Sequence, residues 1–333
     1  MFPRDECLQI ARRLHFPSDK ALDAALMYLD KLNIFLYYPS VLPVLLFCSP
    51  CVLQDKISEL VEYSYRLKHD DDSHDFVRGE LSKFCHKGQV TAQLLRKYPK
   101  HYTEFFTEAH LLKLFESLLI VAPIDHDTYF MPSLLDALKR SEFRRPSCGC
   151  PLVIFFGGGC APLGLFSSFI GYLLSNKNEP SPWVVAVDTP KLYRNHFTFS
   201  LGDSSPGTVT LIDSATFFEV HLTIECEEDL PFLYENTCRY VSHTIWTGLA
   251  EAINARNFRN VHYQEAIICP SKGCHCTLHP ALPSTTTTGI QIWRCTQRPQ
   301  ACGKLNESHL TWLSNPTDTE TYGAGKHFVE TVF

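Results

Sequence analysis

Four residues within an eleven-residue stretch concentrate the soft donor atoms of this chain: Cys269, Cys274, Cys276 and His279. A tetrahedral zinc takes four thiolate or imidazole ligands, and a short loop delivers them if the backbone reverses, as Pro270 and Gly273 allow. Four protein ligands leave no open coordination position, so a zinc held here is structural. The spacing is irregular, with no C-x-x-C pair, and thiols in a surface loop are the plainer reading. Cys295 and Cys302 are reserve ligands.

A second chemical pattern is Gly157-Gly158-Gly159, set between an apolar β-prone piece and an apolar helix, the order of phosphate cradles at helix N-termini. No basic or hydroxyl residue follows at P-loop spacing, and Pro162 removes one amide donor, so a tight structural turn is expected. The sequence contains no G-x-x-x-x-G-K-[ST], no G-x-S-x-G and no H-E-x-x-H. Catalysis is therefore not expected, and Asn176-Lys177-Asn178-Glu179 reads as a polar turn rather than a guanine-reading loop.

The elements that would position these residues form two domains of ordinary size, given 333 residues. With 45% apolar and 20% charged residues, the chain has the balance of a folded soluble protein. Its net charge of -6 comes from interspersed acids and bases, which offers no broad cationic face, and no nucleic acid is expected as a partner. Arg4, Asp5 and Glu6 interrupt the N-terminus where a signal peptide would need an apolar run. The fourteen cysteines are accordingly read as reduced and the location as cytoplasmic. The uncharged run from Pro151 to Ser175 has the length of a membrane span. Gly157, Gly158, Gly159 and Pro162 divide it into a strand, Leu152 to Phe156, and a helix from about Leu163 to Leu174, so no membrane is expected.

The first half reads mostly as helix. Ser18 can cap a helix to Leu32 with Leu22, Leu26 and Leu29 on one stripe. An extended run follows over Ile34 to Tyr38, and the prolines around Val41 to Phe47 keep that segment extended too. Further helices are expected from Val52 to about Leu67, up to Leu95 after a turn at Gly88 to Thr91, and over Glu108 to Leu119 behind Thr107. Ile120 to Ala122 and Tyr129 to Met131, joined at Asp125 to Asp127, suggest a hairpin and hence a winged-helix arrangement. Such folds often bind DNA, but Glu108 and Glu116 outnumber Lys113 on the helix that would read it, favouring a protein contact.

Composition changes between Leu138 and Pro151, and residues 141–150 are assigned as a linker. Beyond it strand signals dominate: Trp183 to Val187, Tyr193 to Phe199, Thr208 to Ile212 and Phe217 to Ile224. Alternation in Phe197-Thr198-Phe199 and Val220-His221-Leu222-Thr223-Ile224 marks half-buried antiparallel strands. A helix over Cys238 to Asn257, with Val241, Ile245, Leu249 and Ile253 spaced by four, covers the sheet. Strands are expected at His262 to Ile268 and Gly289 to Arg294; if they pair antiparallel through the cysteine loop, Cys295 lies near the far end of that hairpin and the loop set is the coherent one. The expected class is α+β: a mostly helical winged-helix-like subdomain over 1–140, an antiparallel-sheet subdomain packed with helices over 151–313, and a flexible tail over 314–333. The terminal Thr331-Val332-Phe333 has the form of a ligand for strand-adding pockets.

The order of these elements resembles the COR (C-terminal of Roc) region of ROCO-family proteins. The resemblance is carried by Leu32-Asn33-Ile34-Phe35-Leu36-Tyr37-Tyr38, by Val44 to Phe47 and by Ser49-Pro50-Cys51-Val52-Leu53, two short strands running into a proline-started helix. Gly88-Gln89-Val90, Leu111 to Val121 and Tyr129-Phe130-Met131-Pro132-Ser133-Leu134-Leu135 resemble the rest of a first COR subdomain, and Pro162-Leu163-Gly164-Leu165-Phe166 the opening of the second. Together they cover roughly Leu8 to Leu313, and Val52 departs from the aromatic residue usual near that helix start. The resemblance implies a non-catalytic regulatory scaffold in intracellular signalling that homodimerises or docks on a Roc-type GTPase or ROCO protein, here without the GTPase itself. The alternative expectation is a winged-helix nucleic-acid-binding protein with a structural zinc loop.

Overall fold

The computed structural model describes residues 2–32, 34–39, 41, 45–47, 55, 58–63, 82–97, 106–143, 151–175, 183–185, 192–201, 207–224, 230–256, 258, 260–268, 277–280, 293–295 and 312. Contacts divide the chain into two units, Met1–Leu135 and Asp136–Phe333. Both combine helices with antiparallel sheet, so the protein is mixed α+β.

The first unit opens with β1 (Phe2–Pro3), α1 (Arg4–Arg13), α2 (Asp19–Lys31), β2 (Leu36–Tyr37) and β3 (Leu45–Phe47). α2 begins where expected, because Ser18 takes up the extended conformation and its Oγ accepts the Ala21 amide at 3.2 Å. Leu22 and Leu26 of its stripe are buried, while Leu29 is half-buried. The strands order as β1-β3-β2, and a polar staple ties the helices to them. Arg4 Nη2 donates to both Asp23 oxygens at 2.8 and 3.0 Å, Tyr37 Oη donates to Asp23 at 3.0 Å, and the Tyr37 amide donates to Asp30 at 3.0 Å. α1 had no counterpart in the sequence reading. Its mixed charges hide a narrow stripe of buried Ala11 and half-buried Cys7 and Leu8.

Residues 82–87 are helical, followed by β4 (Gln89–Thr91), α3 (Ala92–Lys97), α4 (Glu108–Ser117), β5 (Ala122–Asp125) and β6 (Thr128–Phe130). Gly88 to Thr91, expected as a turn, is mainly strand: β4 pairs with β6, giving the order β4-β6-β5. Only the entry is a turn, and there Gly88 has a φ of 63°. A Cβ at this position would sit 2.9 Å from the Met131 carbonyl, whose own amide donates to Gly88 O, so glycine alone fits. Thr91 Oγ1 accepts the Leu94 amide and starts α3, and the Thr107 amide donates to His110 Nδ1 at the start of α4. Phe47, Phe84, Leu95, Phe106, Leu114, Phe115, Val121 and Met131 form the core, each fully buried aromatic or leucine contributing roughly 1.5–3 kcal/mol. Of the expected Val52 to Leu67 helix, residues 58–63 are helical and most of the remainder lies outside the described residues.

The second unit is built on one eight-stranded antiparallel sheet ordered β14-β13-β12-β7-β11-β10-β9-β8. Its strands are β7 (Leu152–Phe156), β8 (Trp183–Val185), β9 (His196–Leu201), β10 (Gly207–Asp213), β11 (Phe217–Ile224), β12 (Tyr263–Ile268), β13 (Thr277–Pro280) and β14 (Trp293–Cys295). α5 (Leu165–Ser175) and α6 (Leu230–Ala255) complete it. The uncharged run is thus a strand and a helix, and among the described residues no helix is long and apolar enough to cross a membrane. Aromatic side chains join α5 to the sheet: Phe218 packs against Phe156 at 4.9 Å and Phe166 at 5.0 Å between centroids. α5 and α6 approach at Gly248, where a Cβ would lie 2.8 Å from Tyr172 Cδ1.

α6 starts eight residues earlier than the expected Cys238. Val241, Ile245 and Leu249 are buried as foreseen, but Ala252 replaces Ile253. A four-residue step advances about 40° beyond a full turn, so three steps rotate the stripe off the sheet. The contact boundary at Leu135 and Asp136 precedes residues 141–150, and the segment after it is fastened to the second unit. Asn195 Nδ2 donates to Leu138 O at 2.9 Å and its Oδ1 accepts the Leu138 amide at 2.8 Å. Residues 144–150 and the tail over 314–333 lie outside the described residues.

Candidate functional site

The cysteine and histidine cluster falls on the β12–β13 connection. Ile268 pairs with Thr277, and residues 269–276, which carry Cys269, Cys274 and Cys276, lie outside the described residues. His279 is not in the loop but in β13, at the register position opposite Arg294. The expected direct pairing of His262–Ile268 with Gly289–Arg294 is corrected: β13 lies between β12 and β14. Pro280 and the brevity of β13 conceal it from a pattern search. The correction also moves Cys295. It stands opposite Leu278, which pairs with Ile267, in the row beside the hairpin's closing pair rather than at its far end. Among the described residues no group of three or more His, Cys, Asp or Glu could hold a metal.

The glycine turn is already committed to backbone bonding. Gly157 N donates to His262 O at 2.8 Å, Gly159 N to Phe156 O at 3.0 Å, and Ala161 N to Ala215 O at 2.8 Å. A phosphate cradle needs such amides free and convergent. Here they close the β7 turn and tie it to neighbouring strands, with Gly159 supplying a φ of 81°.

The principal polar site is one that sequence reasoning missed. On β11, Glu219 and His221 project from the same face, and both are buried, at 0% and 4% exposure. Ser214 Oγ donates to Glu219 Oε1 at 2.8 Å, and His221 Nε2 lies 3.0 Å from Glu219 Oε2, where it donates to the carboxylate. Thr210, opposite His221, exchanges a 3.1 Å hydroxyl bond with Thr198 in the next strand. Alternation along Val220-His221-Leu222 suggested a solvent-facing polar side. In the structure both faces of β11 are covered, and the alternation separates two buried environments. A Glu-x-His pair inside a β-rich run was the one available signal.

In this constellation the carboxylate stands between the hydroxyl and the imidazole. A serine nucleophile needs the imidazole beside its hydroxyl to accept the proton, with the acid behind. Here the hydroxyl and the ring both serve the acid, which satisfies a buried polar group instead of activating a nucleophile. The surrounding turn is fixed by Arg140, whose guanidinium donates to the Ser214 carbonyl, and by Asp213, whose Oδ1 accepts the Ala215 amide at 2.7 Å. That bond holds Ala215 at a φ of 67°. Burial raises the Asp213 carboxyl above its ordinary value, against the opposing pull of the Ala215 amide and the Arg140 and Arg194 charges.

In the first unit, the β5–β6 turn exposes Ile124, Asp125, His126 and Asp127. α4 adds Glu108, paired with Arg96 at 2.6 Å, half-buried Glu116 and exposed Lys113. A hollow of about 60 Å³ lined by Lys83, Gln89, Thr91, Leu94 and Thr128 is far smaller than the several hundred Å³ of an ordinary cofactor site.

These features define a two-unit α+β protein whose described polar cluster is built to support a sheet. The chain matches no protein-family model and no curated protein.

Proposed function

We propose that the chain is a non-catalytic regulatory scaffold of the COR type, acting in the cytosol by docking on a Roc-type GTPase or by homodimerising. The observation that carries this reading is the acidic β5–β6 hairpin turn of a unit that combines helices with a three-stranded antiparallel sheet. Helix 82–87, β4, α3, α4, β5 and β6, with the sheet order β4-β6-β5, support a winged-helix reading of this unit. A wing that grips phosphates carries bases, whereas this one carries Asp125 and Asp127. Charge of that sign repels a nucleic acid and suits a basic protein surface. Met27, Tyr28, Leu32 and Ile34, all about half exposed at the end of α2, add an apolar contact patch.

The test is solution mass by analytical ultracentrifugation, alone and with Roc-type GTPase domains. A dimer or complex, weakened by Tyr28→Asp with Leu32→Asp, is expected. A strict monomer that binds no Roc partner refutes the reading, and a salt-dependent DNA complex would replace it with the nucleic-acid alternative.

A further inference from the structure

The turn joining α1 to α2 presents nine consecutive exposed residues, Arg12 to Lys20. It is a fixed structure. Leu14 ends α1 with its amide on the Ile10 carbonyl, the His15 amide returns to Arg12 O, and the Phe16 amide returns to Ala11 O. This pair of return bonds, with His15 at a φ of 58°, is a Schellman closure. Ser18 then caps α2. Between the two caps, Leu14 is 66% and Phe16 40% exposed, with Ile10 at 45% one helical turn back. The usual Schellman closure tucks the residue at the Phe16 position onto the helix. Here it is left with much of its ring in water.

Charge around the turn is opposite to that of the chain. Arg12, Arg13 and Lys20 against Asp19 leave two positive charges in these nine residues, on a protein of net charge -6. Among the described residues no ion pair engages Arg12, Arg13 or Lys20.

We propose that this convex turn is a peripheral docking site for an anionic lipid surface, with Leu14 and Phe16 entering the acyl boundary and Arg12, Arg13 and Lys20 on the headgroups. Apolar tips flanked by bases are the chemistry of interfacial attachment, in which burial and electrostatic attraction act together. A bilayer accommodates an exposed turn anywhere on its surface, and the turn's charge is opposite in sign to the chain's net charge of -6. The α2 patch assigned to protein contact begins at Met27 and ends beyond Lys31, up to about 18 Å along the helix from Lys20, so the two surfaces can be altered separately.

The experiment is co-sedimentation of the full chain with phosphatidylcholine vesicles with and without 30% (about one lipid in three) phosphatidylserine. Binding is expected only with phosphatidylserine, reversed by roughly 0.5 M salt, where screening shortens electrostatic reach to a few ångströms. Arg12→Glu with Arg13→Glu, and separately Leu14→Asp with Phe16→Asp, should each weaken binding on the order of tenfold or more. Circular dichroism and thermal melting confirm that these exposed substitutions leave the fold intact. Absence of sedimentation with anionic vesicles overturns the proposal, as does binding that survives both double variants. So does a wild-type dimer that the Leu14 and Phe16 variant makes monomeric without any vesicle binding, which would assign the turn to a second copy of the chain.

Discussion

Glu265 gives the most direct test of the sheet's packing. It lies opposite Ile154 on β7, and Ile154 lies opposite Phe218 on β11, so the three share the face that receives the α5 aromatics. Its Oε1 is buried with no hydrogen-bond partner among the described residues. Burial alone raises the carboxyl from 4.5 to about 8. At pH 6–7 the folded chain holds a proton that the unfolded chain has released. Stability from this group is thus fully present below the unfolded value of 4.5, falls as pH rises, and is lost once pH passes the folded value of about 8.

The slope is about 1.4 kcal/mol per pH unit, and the interval between the two values sets an upper limit of roughly 5 kcal/mol. Other atoms of Glu265 keep some contact with solvent, which softens the penalty, so a loss of about 3–5 kcal/mol is expected between pH 4.5 and pH 8. Glu265→Gln keeps the shape and cannot ionise. Its stability should exceed the parent's by a similar amount at pH 8 and match it near pH 4.5. All four tryptophans, Trp183, Trp246, Trp293 and Trp312, belong to the second unit, so urea unfolding followed by tryptophan fluorescence reports that unit alone. Wild-type stability that stays level or rises from pH 5 to 8, or a Gln variant with an unchanged slope, would refute the burial argument.

Three other outcomes follow from the same sheet. Glu219→Ala removes the acceptor of Ser214 and His221 inside a covered face, and should cost about 3 kcal/mol or more in urea unfolding; a loss under about 1 kcal/mol contradicts the network. Asn195→Ala cuts both bonds to Leu138, so amide exchange at Leu138 should accelerate at least tenfold for a lost contribution of about 1.5 kcal/mol; unchanged exchange rejects the clamp. A structural zinc on Cys269, Cys274, Cys276 and His279 would give one equivalent by metal analysis, lost with stability in Cys274→Ser. Protein without zinc above background, whose serine variant is equally stable, removes the metal.

Where one residue's chemistry sets an element, the sequence was readable. Ser18 starts α2 because its hydroxyl replaces a missing acceptor, and β7 and β11 match their apolar runs at Leu152–Phe156 and Phe217–Ile224. Elements that depend on distant partners were not legible. β13 is four residues including a proline, and it exists because β12 and β14 hold it on either side. The candidate ligands were found as a group, but their placement was not, because inserting β13 moves His279 out of the loop and brings Cys295 toward it.

Burial was the deeper omission, and Glu219 and Glu265 show why. Glu219 pairs with Val153, and Val153 pairs with Ala266, the neighbour of Glu265, so two-residue alternation puts the carboxylates on opposite faces in adjacent rows. As letters in a β-rich run they are equivalent, each reading as the polar side of a half-exposed strand. The side chains across the sheet make the difference: Ser214 and His221 donate to Glu219, while Glu265 meets an aliphatic and aromatic layer. The first carboxylate has partners for both oxygens and anchors a turn. The second holds its proton up to about pH 8 while the unfolded chain releases it from about 4.5, so the sheet's stability falls as pH rises between those values.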